Sequence, residues 1–567
     1  ANPAEADRET CIRNACISSI SKGGFMPHHH LIYESCISGL RGAFAITATS
    51  DMGDIVIPRS YADALNSSHQ EYWRQAVADE LNGLITNGTF DFIPLSKVPP
   101  HANIMRCHMV FTVKRLIDGV IEKFKCRLVA DGSTQIHGID FDRVFSTVAK
   151  ISTLRIFLVL AAAYDYNLTS IDVVKAYLQA TLSEDLFMMV PPGLPRFDSD
   201  GQPQVVKLKK SLYGLKQAGR RWNELFCSKA VEWGFIQSAI DTCLFTYRQG
   251  SSILWLVIWV DDGILADNDT QLRNQFVTYL NSQFEIEDKG ELKWVLQVGI
   301  QRDRQKKLLT MSQSLYIKDL MAKYAWATDG LTKRFDSPAD ANVKLTAEQC
   351  PAIDSIEYHQ MTPFRDTYMS LVGAYLWLSN VSRYDITYIS GILAKFVSNP
   401  AMIHYRAALR VLIYLDGTAD RVLTLSANPN RPLSAYVDSD WGSRFSISGG
   451  IIEIFGCPIH WFSRAQRSVS MSSTEAEYFA TCVMVREVLF TRDVVADFGV
   501  ALTAPTIIRT DNKGVVDLSF DPVAFKKTKH ILRAAQFVRD RVLRQYVGLE
   551  WISGQNNFAD IFTKNVA

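Results

Sequence analysis

Acidic residues stand at the ends of two predicted strands in the first half of the chain. Asp172 lies near the end of the run 168–173, and Asp261 and Asp262 directly follow the apolar run 253–260. An apolar strand has no structural use for charges at its tip, because burial of unpaired charge is costly. Divalent cations remove that cost. Two Mg²⁺ ions about 3.5–4 Å apart, held by such carboxylates, support phosphoryl transfer to a 3′-hydroxyl. The alternative is that the Asp-Asp-Gly sequence only closes a β-hairpin.

A second set of acids lies near the C-terminus. Asp438 and Asp511 end predicted strands, Glu475 and Glu477 open a predicted helix, and Asp560 stands close to the chain end. Carboxylates dispersed in this way could converge on two Mg²⁺ ions that activate water for phosphodiester hydrolysis. Alternatively, the two glutamates only favour the helix N-terminus through the helix dipole.

A basic segment with interleaved aromatic residues covers 207–222. Lysine and arginine there suit contact with a nucleic-acid backbone, and the aromatic rings suit packing against bases or sugars. A solvated basic face is the alternative. The segment contains Lys207, Lys209, Lys210, Tyr213, Lys216, Arg220, Arg221 and Trp222.

The composition is that of an ordinary globular protein. The 567 residues are 47% hydrophobic and 21% charged, with a net charge of +1, and this length predicts two to four domains. The ten cysteines form no CxxC pair, which favours a reducing compartment over a disulfide framework. No apolar run approaches the roughly 20 residues that span a bilayer, so no membrane partner is expected. The first residue is Ala1, which suggests a fragment or a processed product.

Hydrophobic periodicity predicts the elements that must position the acids. In the first half we expect a helix over 61–87, strands over 89–93, 109–116 and 119–130, a helix over 151–164, a strand over 168–173, and paired strands over 245–247 and 253–260. In the second half we expect helices over 366–378 and 404–415, strands over 433–437, 449–455 and 459–463, a helix over 473–498 and a strand over 506–510.

Polar stretches suggest where the domains divide. Prolines in a polar context over 331–365 indicate a linker. We therefore expect a flexible lead-in over 1–60, a first catalytic domain over 61–330, a connecting region over 331–430 and a second catalytic domain over 431–567. Cys11, Cys16, three histidines at 28–30 and Cys36 cluster in the lead-in, where a zinc site is the alternative to a flexible segment.

Five sequence motifs of the first half resemble copia-type retrotransposon reverse transcriptases. They are KCRLVADG at 125–132, DVVKAYL at 172–178, LFMMVPPG at 186–193, LYGLKQA at 212–218 and WVDD at 259–262. The resemblance implies an α+β and α/β multidomain protein, with a right-hand polymerase of fingers, palm and thumb over 61–330. It also implies an RNA-directed DNA polymerase acting on an RNA template, a DNA primer and dNTPs.

The same resemblance implies roles for individual residues. Asp172, Asp261 and Asp262 would be the palm ligands of two Mg²⁺ or Mn²⁺ ions. Tyr177 would be an aromatic steric gate against the ribose 2′-hydroxyl, with core packing as the alternative. Lys125 and Arg127 would grip the incoming triphosphate, or would only alternate on an exposed strand. Gln217 and Arg221 are further candidates for substrate binding.

The C-terminal motifs resemble the RNase H domain of the same family. They are DSDW at 438–441, SSTEAEYFA at 472–480, DN at 511–512 and FADIFTK at 558–564. The resemblance implies an RNase H-like α/β domain that degrades the RNA of an RNA–DNA hybrid, with two further metal ions. It selects Glu477 over Glu475 and gives the quartet Asp438, Glu477, Asp511 and Asp560.

Two further segments resemble this family. KKTKHI at 526–531 would bring Lys529 and His530 near the hybrid backbone. YMSLVG at 368–373, RYDI at 383–386 and YLDGT at 414–418 are similar to the connection region between polymerase and RNase H.

The sequence departs from the family pattern at several positions. Trp259 stands for tyrosine, Asp131 for lysine, Gly219 and Tyr384 for proline, and Gln536 for histidine. All seven predicted metal carboxylates are intact, which favours a competent enzyme. The alternatives are a decayed remnant that still binds RNA–DNA hybrid and a nuclease whose polymerase half is structural. The family further implies integrase and protease segments and a Gag particle as partners, and location in a cytoplasmic virus-like particle or the nucleus.

Overall fold

The computed structural model describes residues 55–115, 121–328, 334–441, 445–520 and 532–565. The N-terminal Cys/His cluster, Lys529 and His530 lie outside these residues. Within them, no helix is both long and apolar enough to cross a bilayer.

The strands are numbered in chain order. They are β1 Phe90–Pro94, β2 Ile104–Met105, β3 Cys107–Arg115, β4 Ile121–Ala130, β5 Asn167–Val173, β6 Thr181–Met189, β7 Gln204–Lys210, β8 Ile236–Gln237, β9 Leu244–Gln249, β10 Ser252–Trp259, β11 Asp262–Asp267, β12 Ile286–Glu291, β13 Trp294–Val295, β14 Val298–Asp303, β15 Leu308–Ser312, β16 Leu423–Ser426, β17 Ser434–Asp440, β18 Ile447–Ile454, β19 Cys457–Ala465, β20 Thr506–Thr510 and β21 Val547–Trp551.

The α-helices are numbered in the same way. They are α1 Tyr61–Leu65, α2 Gln70–Thr86, α3 Ile151–Ala163, α4 Ala218–Trp233, α5 Thr270–Gln283, α6 Ser314–Lys323, α7 Ala325–Thr328, α8 Ile356–Met361, α9 Arg365–Val381, α10 Thr387–Ala394, α11 Met402–Gly417, α12 Ser473–Asp497, α13 Lys513–Phe520 and α14 Leu532–Leu543.

The chain divides into two compact units, and the first comprises residues 1–144 and 180–221. Its described part holds the sheet β1-β7-β6-β2 and the hairpin β3-β4. Trp73, Val77, Leu81 and Leu84 form the buried face of α2, because positions three and four apart share one side of a helix. The predicted helix over 61–87 is divided into α1 and α2, since Asn and Ser residues at 66–68 favour turns over helix.

The second unit comprises residues 145–179 and 222–567. Its first sheet has six strands in the order β12-β5-β11-β10-β9-β8. Helix α3 is buried along all 13 of its residues, as its continuous apolar sequence requires. Asp241 supports the start of this helix, since its carboxylate accepts hydrogen bonds from the Lys150 amide at 3.1 Å and the Thr153 hydroxyl at 2.6 Å.

Within the second unit, helices α9, α10 and α11 pack together. The same unit holds a four-stranded sheet in the order β13-β14-β15-β16. Two of the sequences that resemble the connection region, RYDI and YLDGT, share one hydrogen-bond network here. The Arg383 guanidinium donates to both carboxylate oxygens of Asp385, at 3.0 and 2.8 Å, and to the Thr418 carbonyl at 3.1 Å. The Tyr414 hydroxyl donates to the same carboxylate at 2.7 Å. These motifs therefore hold the helices together.

The C-terminal part of the second unit is a five-stranded sheet in the order β19-β18-β17-β20-β21. Strands β17, β20 and β21 run parallel, while β18 and β19 form an antiparallel meander. Helix α12 packs on β17 and β18. Its start is capped by the Ser472 hydroxyl, which accepts from the Glu475 amide at 3.2 Å.

Candidate active sites

The first acid set lies at one end of the six-stranded sheet. Strands β5 and β11 pair so that Asp172 stands directly opposite Asp262. Asp261 belongs to the two-residue turn that joins β10 to β11. Its carbonyl accepts from the Val173 amide at 2.9 Å, which ties the turn to the end of β5. The strand pairing thus brings the three predicted palm acids to the same end of the sheet.

The turn that carries Asp261 has an unusual backbone. Val260 has a φ of +55°, a region that β-branched residues rarely occupy and that costs of order 1–3 kcal/mol. The surroundings hold it there, because the Trp222 indole donates to the Val260 carbonyl. Next to it, Gly263 is required, since a Cβ would lie 2.8 Å from Cγ1 of Ile171. The chain accepts local strain to present this turn.

A lysine that the sequence did not single out lies beside the first acid set. Lys289 Nζ is 3.2 Å from Oδ1 of Asp172, and Glu287 on β12 pairs opposite Asp172. In the part of the chain that the structure describes, Asp172, Asp261 and Asp262 do not form a set of three ligands within 4.8 Å of one another. The side chains are thus neighbours by sheet register but are less tightly gathered than the second acid set.

The second acid set is built from two strands of the C-terminal sheet, a 3₁₀ turn and helix α12, which carries Glu477. Asp438 lies on β17, Asp511 directly follows the parallel neighbour β20, and Asp560 lies in the 3₁₀ turn Phe558–Phe562. One oxygen from each lies within 4.8 Å of the others, close enough to share a cation. The turn is held in place by Asn557, whose amide donates to the Val437 carbonyl at 3.1 Å.

Glu477 on α12 is electrostatically coupled to these acids. Its Oε1 accepts from the Ser439 amide at 3.1 Å, and its Oε2 is buried with no hydrogen-bond partner among the described residues. Burial, together with the carboxylates of Asp438 and Asp511, raises the pKa of Glu477 to about 9. Glu475 has a different position, because its carboxylate accepts from the Met471 amide at 2.6 Å ahead of the helix.

The C-terminal turn supplies two further contacts to the second set. The Thr563 hydroxyl donates to Oδ2 of Asp438, and Lys564 Nζ lies 2.9 Å from Oδ2 of Asp560. Burial raises the pKa of Asp438, although the hydrogen bond from Thr563 opposes that shift. Both residues belong to the motif at 558–564, so the motif could have indicated them.

The oxygen donors of the second set fit a hard divalent cation. Glu477 Oε2 and Asp560 Oδ1 are buried oxygens with no hydrogen-bond partner among the described residues, and the pKa of Glu477 is raised. A bound cation would stabilise such oxygens by replacing their lost hydration. An all-carboxylate donor set suits Mg²⁺ and Mn²⁺. The first set offers the same donor type, with Lys289 supplying positive charge at Asp172.

The predicted substrate-binding residues of the first unit have internal partners. Gln217 is 1% exposed; its amide donates to the Asp140 carbonyl at 2.9 Å and accepts from Gln135 at 3.0 Å. Arg221 pairs with Glu184 at 2.8 Å. In these positions both side chains serve the packing of the unit, and their binding roles remain predictions.

The other predicted substrate residues are more accessible. Lys125 is exposed on β4, and Arg127, half-buried on the same strand, places its guanidinium 5.6 Å from the ring centroid of Tyr213. Tyr177 is half-buried in the 3₁₀ turn Ala176–Gln179 of the second unit. Their roles in triphosphate binding and sugar selection remain predictions.

Comparison with known proteins gives a consistent result. Residues 89–334 match the family model "Reverse transcriptase (RNA-dependent DNA polymerase)". The chain is 34% identical over 512 residues to the Pol polyprotein of transposon RE1 from Arabidopsis thaliana, covering 89% of this chain and 33% of that protein. It is 30% identical over 515 residues to the Pol polyprotein of transposon TNT 1-94 from Nicotiana tabacum, covering 90% and 38%. The chain thus spans about a third of the length of these curated relatives.

A solved structure of a foamy viral protease-reverse transcriptase is also similar to the chain. The TM-score is 0.43 at 9% identity, and the match covers 84% of this chain and 69% of that one.

Proposed function

Because the chain belongs to the copia/Ty1-type retrotransposon Pol polyproteins, as their reverse-transcriptase region, we propose that it synthesises DNA on an RNA template. The observation that carries this proposal is the placement of Asp172, Asp261 and Asp262 at one end of the six-stranded sheet, within the residues that match the family model.

Each part of the first acid set has a task in this reaction. Bound divalent ions, two per site, would activate the primer 3′-hydroxyl and neutralise charge on the departing pyrophosphate. Asp172 and Asp261 would hold them, and Asp262 would orient the turn through its pairing with Asp172. The strained turn at Val260 keeps the carboxylates of Asp261 and Asp262 at the tip of the hairpin. Lys289, beside Asp172, would balance their charge while the site is empty of substrate.

We further propose that the second acid set hydrolyses the RNA strand of an RNA–DNA hybrid. Support comes from the oxygens of Asp438, Asp511 and Asp560 within 4.8 Å of one another, and from the buried Glu477 beside them. This donor set can hold Mg²⁺ or Mn²⁺ and orient water for attack on a phosphodiester. The proposed products are a cleaved RNA strand and a free DNA strand.

The proposed partners follow from these reactions. They are an RNA template, a DNA primer, dNTPs and the RNA–DNA hybrid. Exposed Lys125 and half-buried Arg127 on β4 are the proposed contacts to the triphosphate. The other Pol segments, integrase and protease, and a Gag particle are proposed as partners of the longer protein, in a cytoplasmic virus-like particle or the nucleus.

The test is incorporation of dTTP on poly(rA)/oligo(dT) with Mg²⁺ by the purified chain. An Asp261→Asn, Asp262→Asn double variant tests the assigned acids, and Glu232→Gln, an exposed acid on α4, is the matched control. Incorporation by the wild type and the control, but not by the double variant, supports the proposal. A folded wild type that incorporates nothing would contradict it and favour a remnant that retains binding alone.

A further inference from the structure

One buried arginine joins three parts of the second unit. Arg155 lies on α3 and is 1% exposed. Its guanidinium donates to the carbonyls of Asn380 and Val381, at 3.1 and 3.4 Å, at the C-terminal end of α9. Its Cζ lies 3.7 Å from the ring centroid of Trp461 on β19. The guanidinium donates to carbonyls that the helix end leaves without partners. Its positive charge is stabilised by the negative end of the helix dipole and by the face of the Trp461 ring.

From Arg155 a continuous series of contacts leads to the second acid set. The Trp461 indole also donates to the Ser379 carbonyl at 2.6 Å. The Trp461 ring lies 5.5 Å from that of Tyr384, and the Tyr384 ring lies 6.4 Å from that of Phe562. Phe562 is in the same 3₁₀ turn as Asp560.

In the other direction, the contacts lead from α3 to the first acid set. The residue two before α3, Ala149, accepts at its carbonyl a hydrogen bond of 3.0 Å from the indole of Trp259. Trp259 is the last residue of β10, directly before the Val260–Asp261 turn. Every link in the series lies inside one compact unit.

Two of these links are positions where the sequence departs from its family. Trp259 stands where the family has tyrosine, and tyrosine has no indole N–H to reach the Ala149 carbonyl. Tyr384 stands where the family has proline, which has no aromatic ring to place between Trp461 and Phe562. Both departures therefore add contacts to the same series.

We propose that this junction, defined by Trp259, Arg155, Trp461 and Tyr384, fixes the distance between the two acid sets. The hybrid leaving the first set is then cut by the second at one set distance from the primer end. Arg155 and Tyr384 act as positioning residues, because neither is placed among the carboxylates of either site. This inference rests on the proposed polymerase and nuclease activities.

The first experiment maps cuts in the RNA strand of a hybrid with a recessed DNA 3′ end, for the full chain and three variants. Arg155→Met removes the charge at the junction. Tyr384→Pro restores the family residue at the first position of the 3₁₀ turn Tyr384–Ile386, where proline is tolerated. Tyr546→Ala, an exposed aromatic residue outside the junction, is the control. We expect one dominant cut distance for the wild type and the control. For the two junction variants we expect loss of that dominance, with dTTP incorporation unchanged for Tyr384→Pro.

A second measurement does not depend on activity. Spin labels introduced as unnatural amino acids at exposed Gln249, on β9 of the six-stranded sheet, and Lys513, at the start of α13, report the distance between these two parts of the unit. A narrow distribution in the wild type that broadens in both junction variants supports the proposal. Unchanged width, or wild-type cut positions in both variants, overturns it. If the wild type cuts no hybrid, the nuclease proposal fails, and the spin-label distances still decide whether the junction fixes the two regions.

Discussion

The two acid sets differ in how the fold holds them. The first lies where the tip of the β10–β11 hairpin meets the end of β5, with half-buried carboxylates and Lys289 beside Asp172. The second is collected from four elements, and its Asp438 and Glu477 are only 5% and 6% exposed. A site on a hairpin and the strand paired with it is defined by local sequence, strand register and backbone strain. In a site assembled from distant elements, burial of the carboxylates costs free energy when no cation is present, and a bound cation reduces that cost.

The largest effect is expected from removing a carboxylate of the second set. Asp438→Asn should lower hybrid cleavage by roughly 10³-fold or more, because metal ions supply several kcal/mol of transition-state stabilisation. DNA synthesis should remain at the wild-type rate. Gel analysis of RNA cleavage checks this, with exposed Asp517→Asn as the control. Equal loss of synthesis would mean that the two sets are not independent sites.

The second prediction concerns the pH dependence of stability without metal. Glu477 has a pKa of about 9 in the fold against an ordinary value of 4.5. Between these values the folded chain binds a proton that the unfolded chain lacks, so stability should fall as pH rises through this range. Below pH 4.5 the glutamate is protonated in both the folded and the unfolded chain, so Glu477 should not lower the stability there. Melting temperatures of the chelated chain across this range check the slope.

Glu477→Gln sharpens the same test. Since glutamine carries no charge, the variant should melt at a higher temperature than the chelated wild type at neutral pH and should lose that part of the slope, while hybrid cleavage is lost. Added Mg²⁺ should raise the melting temperature of the wild type more than that of the variant. A variant that melts at a lower temperature than the chelated wild type, with the pH slope retained, would show that Glu477 does not cause the loss of stability at higher pH.

A smaller effect is expected at the hairpin of the first set. Gly263→Ala places a Cβ 2.8 Å from Ile171 Cγ1, and such overpacking costs about 1–3 kcal/mol. DNA synthesis should fall while hybrid cleavage persists. Gly373→Ala on α9 is the control, because no atom lies within 4 Å of its added Cβ. Equal synthesis by both variants would remove the argument that tight packing positions this turn.

The smallest effect is expected for Trp259→Phe. The change leaves the Ala149 carbonyl without the indole donor, which costs about 1–3 kcal/mol for a buried acceptor. A denaturation midpoint shows the loss, and exposed Trp326→Phe gives the baseline. A midpoint equal to the baseline would show that water replaces the indole.

The sequence predicted the parts of each site that depend on local pattern. Apolar strands ending in acids were readable because strand period and charge placement are local properties. The contact of Lys289 with Asp172 was not readable, since it depends on β12 pairing beside β5 across more than a hundred residues. Nor was the division of the first helix, where turn-forming residues at 66–68 prevailed over the hydrophobic period.

Tertiary packing also determines the hydrogen-bond partners of the motif residues. Gln217 belongs to a motif of the family, yet its amide is used inside the first unit by Asp140 and Gln135. The RYDI and YLDGT motifs, far apart in sequence, form one network around Asp385. Such partners follow from the packing of elements, which a single sequence does not specify.

The most direct test of two separate sites in one chain is a crossed pair of variants on one primed RNA template. The Asp261→Asn, Asp262→Asn protein should make no DNA but still cut a preformed hybrid. The Asp438→Asn, Glu477→Gln protein should make DNA but leave the RNA intact. If either variant loses both activities while folded, or keeps both, the assignment of the two acid sets is contradicted.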